Sequence, residues 1–138
     1  MLLVDSNIVF ALLVHSMPWH RAARELHDLD KVWRTESHAL VEISNVLSRY
    51  VLAKELSSAK AIDLMTEADR RMRPRLLTVD HVEALRVALK HNVSGYDARF
   101  LLCAVDLGTR LITEDLKLRK AAPSLTQSLD DALAAAQG

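Results

Sequence analysis

Short apolar runs alternate along this chain with longer stretches in which apolar residues recur every three or four positions. Leu2 to Asp5 has the pattern of a buried strand, and a helix follows it to about Val14. His15 to Pro18 breaks the period, and Trp19 to Leu29 resumes it. Lys31 to Thr35 reads as a second strand, with Ser37 placed to N-cap a helix running to about Ala53. Ser57 to Met72 is a further helix and Arg75 to Val79 a third strand. Asp80 and Glu83 have capping-box spacing and open a helix to His91. Gly95 starts a helix that ends near Leu107, and Arg110 to Thr113 is a fourth strand. Asp115 to Ala121 is a short helix, Ser124 to Gln127 a fifth strand, and Ser128 with Asp131 caps a final helix. Strands alternating with helices predict an α/β fold: a short parallel sheet of four to five strands between two helical layers. Two helices, not one, separate the second and third strands. That pair projects apolar surface and is the first candidate for a partner-binding element.

No repeat, low-complexity segment or linker divides the chain, so residues 1–138 are expected to form one domain. Half of the residues are apolar and only 4% aromatic, which predicts a core of Leu, Val, Ile and Ala. Lys plus Arg and Asp plus Glu number 18 each, so any nucleic-acid binding must come from a local patch instead of bulk charge. A single cysteine, Cys103, excludes an internal disulfide and a multi-cysteine zinc site, and its Leu/Ala-rich setting suits a core thiol. Asp5 interrupts the opening apolar run before it reaches signal-peptide length, and no run approaches a membrane span. The expectation is a cytoplasmic protein with no membrane contact.

Against that background four acids stand beside apolar sequence: Asp5 after Met1–Val4, Glu42 near Ala39, Ile43 and Val46, Asp97 before Ala98, and Asp115 after Leu111-Ile112-Thr113. Burying a bare carboxylate costs several kcal/mol or more unless it is paired or binds a cation. Asp5 and Asp115 fall at the carboxyl ends of expected strands, the edge where open α/β sheets bind ligands. At roughly 100° per residue, Asp97 falls between Leu101 and Ala104 inside the apolar stripe of its helix. Glu42 borders the stripe of its own helix, toward Val46 and Arg49. Each acid also has a plain structural alternative. Asp5 and Asp115 can be helix N-caps, Asp97 can complete a capping box with Ser94, and Glu42 can pair with Arg49 or Arg21. Glu114 beside Asp115 and the nearby Asp106 are competing carboxylates. As a set, carboxylates without a Cys or His ligand pattern select a hard ion, Mg²⁺ or Mn²⁺, over zinc.

The order Leu3-Val4-Asp5-Ser6-Asn7, a helical Glu42, Tyr96-Asp97-Ala98 and Leu111-Ile112-Thr113-Glu114-Asp115 resembles the PIN-domain ribonucleases. Within them the compact length and the Gly-Tyr-Asp-Ala…Leu-Ile-Thr-x-Asp ending are similar to the VapC toxins of toxin–antitoxin modules. The resemblance covers essentially the whole chain. It implies a metal-dependent endoribonuclease acting on single-stranded or loop RNA, with Asp5, Glu42, Asp97 and Asp115 as the metal-binding cluster. Asp5 and Asp97 would be the main ligands, and Glu42 and Asp115 would ligate or orient through water. Ser6 and Thr113 match small hydroxyl positions that support the first and last aspartates, and Asp115 holds the motif's register in preference to Glu114. The resemblance also implies a small antitoxin that wraps the toxin, and homodimerisation.

RNA phosphates need cations near such a cluster. Arg99 and Lys117 each follow a cluster aspartate by two residues, Arg49 neighbours Glu42, and Arg119 and Lys120 extend the same edge. Two rival classes stay open on the residues alone. A phosphoacceptor receiver module also places an aspartate at a strand end, but it needs adjacent acids after the first strand and a lysine where Thr113-Glu114-Asp115 stands. A non-catalytic interaction domain would use the acids as caps.

Overall fold

The computed structural model describes residues 1–138. Five short strands, β1 (Leu2–Val4), β2 (Trp33–Glu36), β3 (Leu76–Leu77), β4 (Leu111–Ile112) and β5 (Thr126–Gln127), form one wholly parallel sheet in the order β3-β2-β1-β4-β5. The helices are α1 (Ser6–Leu13), α2 (His20–Leu29), α3 (His38–Leu52), α4 (Ser58–Met72), α5 (His81–His91), α6 (Gly95–Leu107), α7 (Leu116–Ala121) and α8 (Leu129–Gln137). No helix is long and apolar enough to cross a membrane.

The strands alternate their side chains between two cores, as a period of two demands. Val4 and Ile112 point into a core with Ile8, Leu26, Trp33, Ile43 and Leu129, built by α1, α2, α3, α4 and α8. Leu3 and Leu111 point the other way, onto Phe100, Leu101, Ala104 and Leu118 of α6 and α7. Helical layers therefore cover both faces, and the expected three-layer sandwich is the one observed. The order differs from that of receiver modules, in which the first strand is not flanked by the second and fourth. Leu101 is wholly buried in the second core. Leu101→Ala is expected to cost ~2–5 kcal/mol, read as a lower urea midpoint at unchanged slope.

The strands are shorter than the apolar runs suggested, for local reasons. Asp30 accepts from the Val32 amide (3.0 Å) and from the N-terminal amine (2.7 Å), which delays β2 to Trp33. Arg73-Pro74-Arg75 forms a 3₁₀ turn, leaving two residues for β3. α6 is buried over most of its circumference, Phe100 and Cys103 included, because it lies between the sheet and α5. Cys103 is the core thiol expected, and burial pushes its pKa up to about 12.

Ser37 does not cap α3. Its backbone is already helical (φ −56°, ψ −26°), and its hydroxyl donates to Glu36 Oε1 (3.0 Å). The cap is Glu36, whose Oε2 accepts from the His38 amide at 2.6 Å. A fully buried carboxylate at the end of β2 thus closes the first turn of α3.

Candidate active site

β1 and β4 lie side by side where the strand order reverses direction, and both end at the same rim of the sheet. This is the crevice in which open α/β sheets hold ligands. Asp5 follows β1 as the N-cap of α1, its Oδ1 accepting from the Ser6 amide at 2.7 Å. Its Oδ2 accepts from Thr113 Oγ1, also at 2.7 Å. The same Thr113 oxygen accepts from the Asp115 amide at 3.1 Å, so one buried hydroxyl fixes both strand-end aspartates. Ser6 Oγ donates to Glu42 Oε2 at 2.7 Å and lies farther, 3.4 Å, from Asp5. Ser6 therefore couples the first aspartate to the α3 glutamate. Asn7, 3.4 Å from both Asp5 Oδ2 and Thr113 Oγ1, braces the same corner.

The electrostatics follow from burial without countercharge. Asp5 is pushed up to about 7, mainly by burial. The Thr113 bond opposes this shift, while the Glu42 and Asp97 charges add to it. Glu42 is raised by burial and by repulsion from Asp97 and Glu36, against the Ser6 bond and His38. Asp97 is raised by burial and then by Asp115. The four carboxylates thus sense one another, yet none takes part in any of the eight ion pairs of the protein.

The structural alternatives hold for some of the acids and fail for others. Asp5 caps α1, and Asp115 Oδ1 caps α7 through the Leu118 amide at 3.1 Å. Asp97 gives its amide to Ser94 Oγ (3.0 Å), but its carboxylate accepts no hydrogen bond. Glu42 pairs with neither Arg49 nor Arg21, and the latter is engaged by Glu25. Glu114 is committed elsewhere: its Oε1 accepts from the Leu129 amide at 2.8 Å, and Arg119 lies 3.9 Å from its Oε2.

All-oxygen, cation-free acids at a strand-end crevice suit a hard divalent ion. In the present side-chain arrangement no three acidic, imidazole or thiol groups stand within chelating reach of one another. The four acids are therefore neighbours through their fields and not a preformed cage. Of the cations expected to meet RNA, Arg99 is engaged inside the protein. Its Nη2 is 2.8 Å from the buried Glu36 Oε1 and its Nη1 is 3.1 Å from His81 Nδ1. Arg119 is half-buried beside Glu114, while Arg49, Lys117 and Lys120 are exposed and unpaired.

Sequence reading passed over Glu36, which ties the start of α3 to α6 through Arg99. The signal was present: Glu36 is the last residue of β2, an acid at a strand end much as Asp5 is just after β1. It also passed over Asn7 as a brace, and over the ring of His38 stacked on Tyr96.

A doubly wound parallel sheet with uncompensated acids at the strand-reversal crevice defines an α/β protein with an acidic candidate site at its strand ends. The sequence model of the PIN domain matches residues 2–123, and the chain belongs to the PIN-domain family. Ribonuclease VapC3 of Pyrobaculum aerophilum is 29% identical over 133 residues, spanning 90% of this chain and 96% of that protein. The crystal structure of PAE2754 from Pyrobaculum aerophilum superposes with a TM-score of 0.75 at 20% identity, over 98% of this chain and 88% of that one. FitAcB from Neisseria gonorrhoeae gives 0.64 at 16% identity, over 94% and 98%. These two structures attest the shared fold.

Proposed function

We propose that this chain is a Mg²⁺- or Mn²⁺-dependent endoribonuclease, the toxin of a toxin–antitoxin pair, with Asp5, Glu42, Asp97 and Asp115 as its acidic cluster. The observation that carries the reading is the cluster itself: four interacting carboxylates, one of them buried, with no cation paired to any. Similarity to Ribonuclease VapC3 supports RNA as the substrate and a VapC-type role. When bound, the ion polarises the phosphodiester and lowers the pKa of an attacking water. Asp5 and Asp97 hold it, and Glu42 and Asp115 ligate or orient water. Thr113 fixes Asp5 and the backbone before Asp115, while Ser6 holds one oxygen of Glu42 and leaves the other free to accept a proton. Arg49, Lys117 and Lys120 are the exposed cations available to RNA phosphates, with Arg119 behind them.

The whole chain acts as one PIN-like unit in the cytoplasm, forms a homodimer and is wrapped by a small antitoxin. The apolar surface between α3 and α4, formed by Leu47, Val51, Leu52, Ile62 and Met65, supports the antitoxin contact. A domain that used its acids only as caps would account for Asp5 and Asp115 but not for Glu42 and Asp97.

Mn²⁺ is expected to raise the melting temperature of the wild type and to switch on cleavage of single-stranded RNA. Asp97→Asn should abolish cleavage and flatten the thermal response while melting as a folded protein. Mapping RNA ends after brief induction, with Asp5→Asn as control, should give discrete sites in the wild type alone. A flat Mn²⁺ response together with absent cleavage sinks the nuclease reading in favour of an interaction module.

A further inference from the structure

Resting on the ribonuclease reading, we propose that the cleft between α3 and α6 is a nucleobase subsite, in which one base of single-stranded RNA beside the scissile phosphate stacks on Tyr96. The cleft measures about 890 Å³ and runs directly from Glu42 and Asp97. His38 and Tyr96 form a stacked pair at its edge, with ring centroids 4.8 Å apart and 17° between the planes. Tyr96 is one of only two tyrosines in the chain, yet it is 63% exposed, where it adds nothing to either core.

The pair is anchored to the acids by position. Tyr96 precedes Asp97 at the start of α6, and His38 lies one helical turn before Glu42 on α3. A base held on that platform keeps its own phosphate within reach of both carboxylates. The chemistry of the lining selects a base over a phosphate: no Lys or Arg borders the cleft, which instead offers Ser44, Asn45, Ser48 and Ser94. Ser44 and Ser48 already donate to the carbonyls of Val41 (2.7 Å) and Asn45 (3.0 Å), so their oxygens remain as acceptors. Asn45 supplies a donor and an acceptor together, the pair a base edge requires. Aromatic stacking on splayed bases is the usual means of holding unpaired RNA.

The test measures binding of a fluorescein-labelled single-stranded RNA octamer in chelator at low salt, and KM and kcat for its cleavage in Mn²⁺. Tyr96→Ala should weaken binding and raise KM by roughly 5- to 150-fold, the range for one base–aromatic stack. Tyr96→Phe should stay within about twofold because the ring remains. Asn45→Ala should alter the preferred base at one position of the octamer. Unchanged binding and KM in Tyr96→Ala overturn the subsite even where the wild type cleaves RNA, as does a Phe variant as poor as the Ala variant. No measurable RNA binding by the wild type overturns it too. Stacking-dependent binding without Mn²⁺-stimulated cleavage supports the subsite and sinks the nuclease reading alone.

Discussion

Asp5→Asn is expected to abolish metal-dependent cleavage and, in chelator at pH 8, to raise the melting temperature by several degrees. The direction follows from Asp5 being buried with a pKa of about 7, against an ordinary value of 3.8. The folded protein therefore keeps a proton that the unfolded chain releases. Stability from this group is complete below about pH 4, declines as pH rises, and is fully lost above about 7. The ionised side chain then costs on the order of 4 kcal/mol in the metal-free protein. Asparagine carries no charge to desolvate. Part of the gain is offset because one amide oxygen cannot serve both Thr113 and the Ser6 amide as the carboxylate does. The advantage of the variant should shrink toward zero by pH 4, where both side chains are neutral. Added Mn²⁺ should reverse the order at pH 8, since the wild type alone gains a ligand's stabilisation. Thermal melts at the two pH values, with and without Mn²⁺, read all four outcomes. A variant that melts below the wild type at both pH values in chelator would make Asp5 an ordinary cap.

Arg99→Ala is the change expected to damage the fold most. Glu36 is completely buried and accepts from Ser37, the His38 amide and Arg99, whose own side chain is 19% exposed. Removing the guanidinium leaves a buried anion with two neutral donors, a loss of ~3–5 kcal/mol. Glu36→Gln in the Arg99→Ala background should recover part of it, because the uncompensated charge goes with the carboxylate. Urea unfolding of the two variants measures the difference. A loss below about 1 kcal/mol would place the pair among weakly coupled surface ion pairs. The pair joins the helix carrying Glu42 to the helix carrying Asp97, so Arg99→Ala should also weaken Mn²⁺ binding in whatever fraction remains folded.

Much of the fold was legible because it rests on local chemistry. Short apolar runs marked β1, β2 and β4, and Ser57, Asp80, Ser94 and Ser128 all cap the helices that follow them, as side-chain oxygens before an apolar period should. Ser37 failed by the same logic. It had the right residue type in the right place, but a buried glutamate one position earlier competed for the same amide. Strand lengths failed because pairing and not pattern ends a strand, as Pro74 shows for β3 and Asp30 for β2.

For the candidate site, apolar neighbours and helix faces drew attention to Asp5, Glu42, Asp97 and Asp115, since a carboxylate beside apolar sequence is visible one residue at a time, and the resemblance to the PIN family set the choice of Asp115 over Glu114. Their neighbourhood was not visible. That Thr113 serves two aspartates, that Ser6 reaches Glu42, that Arg99 turns inward to Glu36 and that Tyr96 lies on His38 are contacts across 36 to 108 residues in sequence, all set by the β1–β4 pairing and by the approach of α3 to α6. The chain alone determined which groups are costly to bury. Only the tertiary structure decided which of them share a crevice without a countercharge, because desolvation and Coulomb coupling depend on distances that no periodicity encodes.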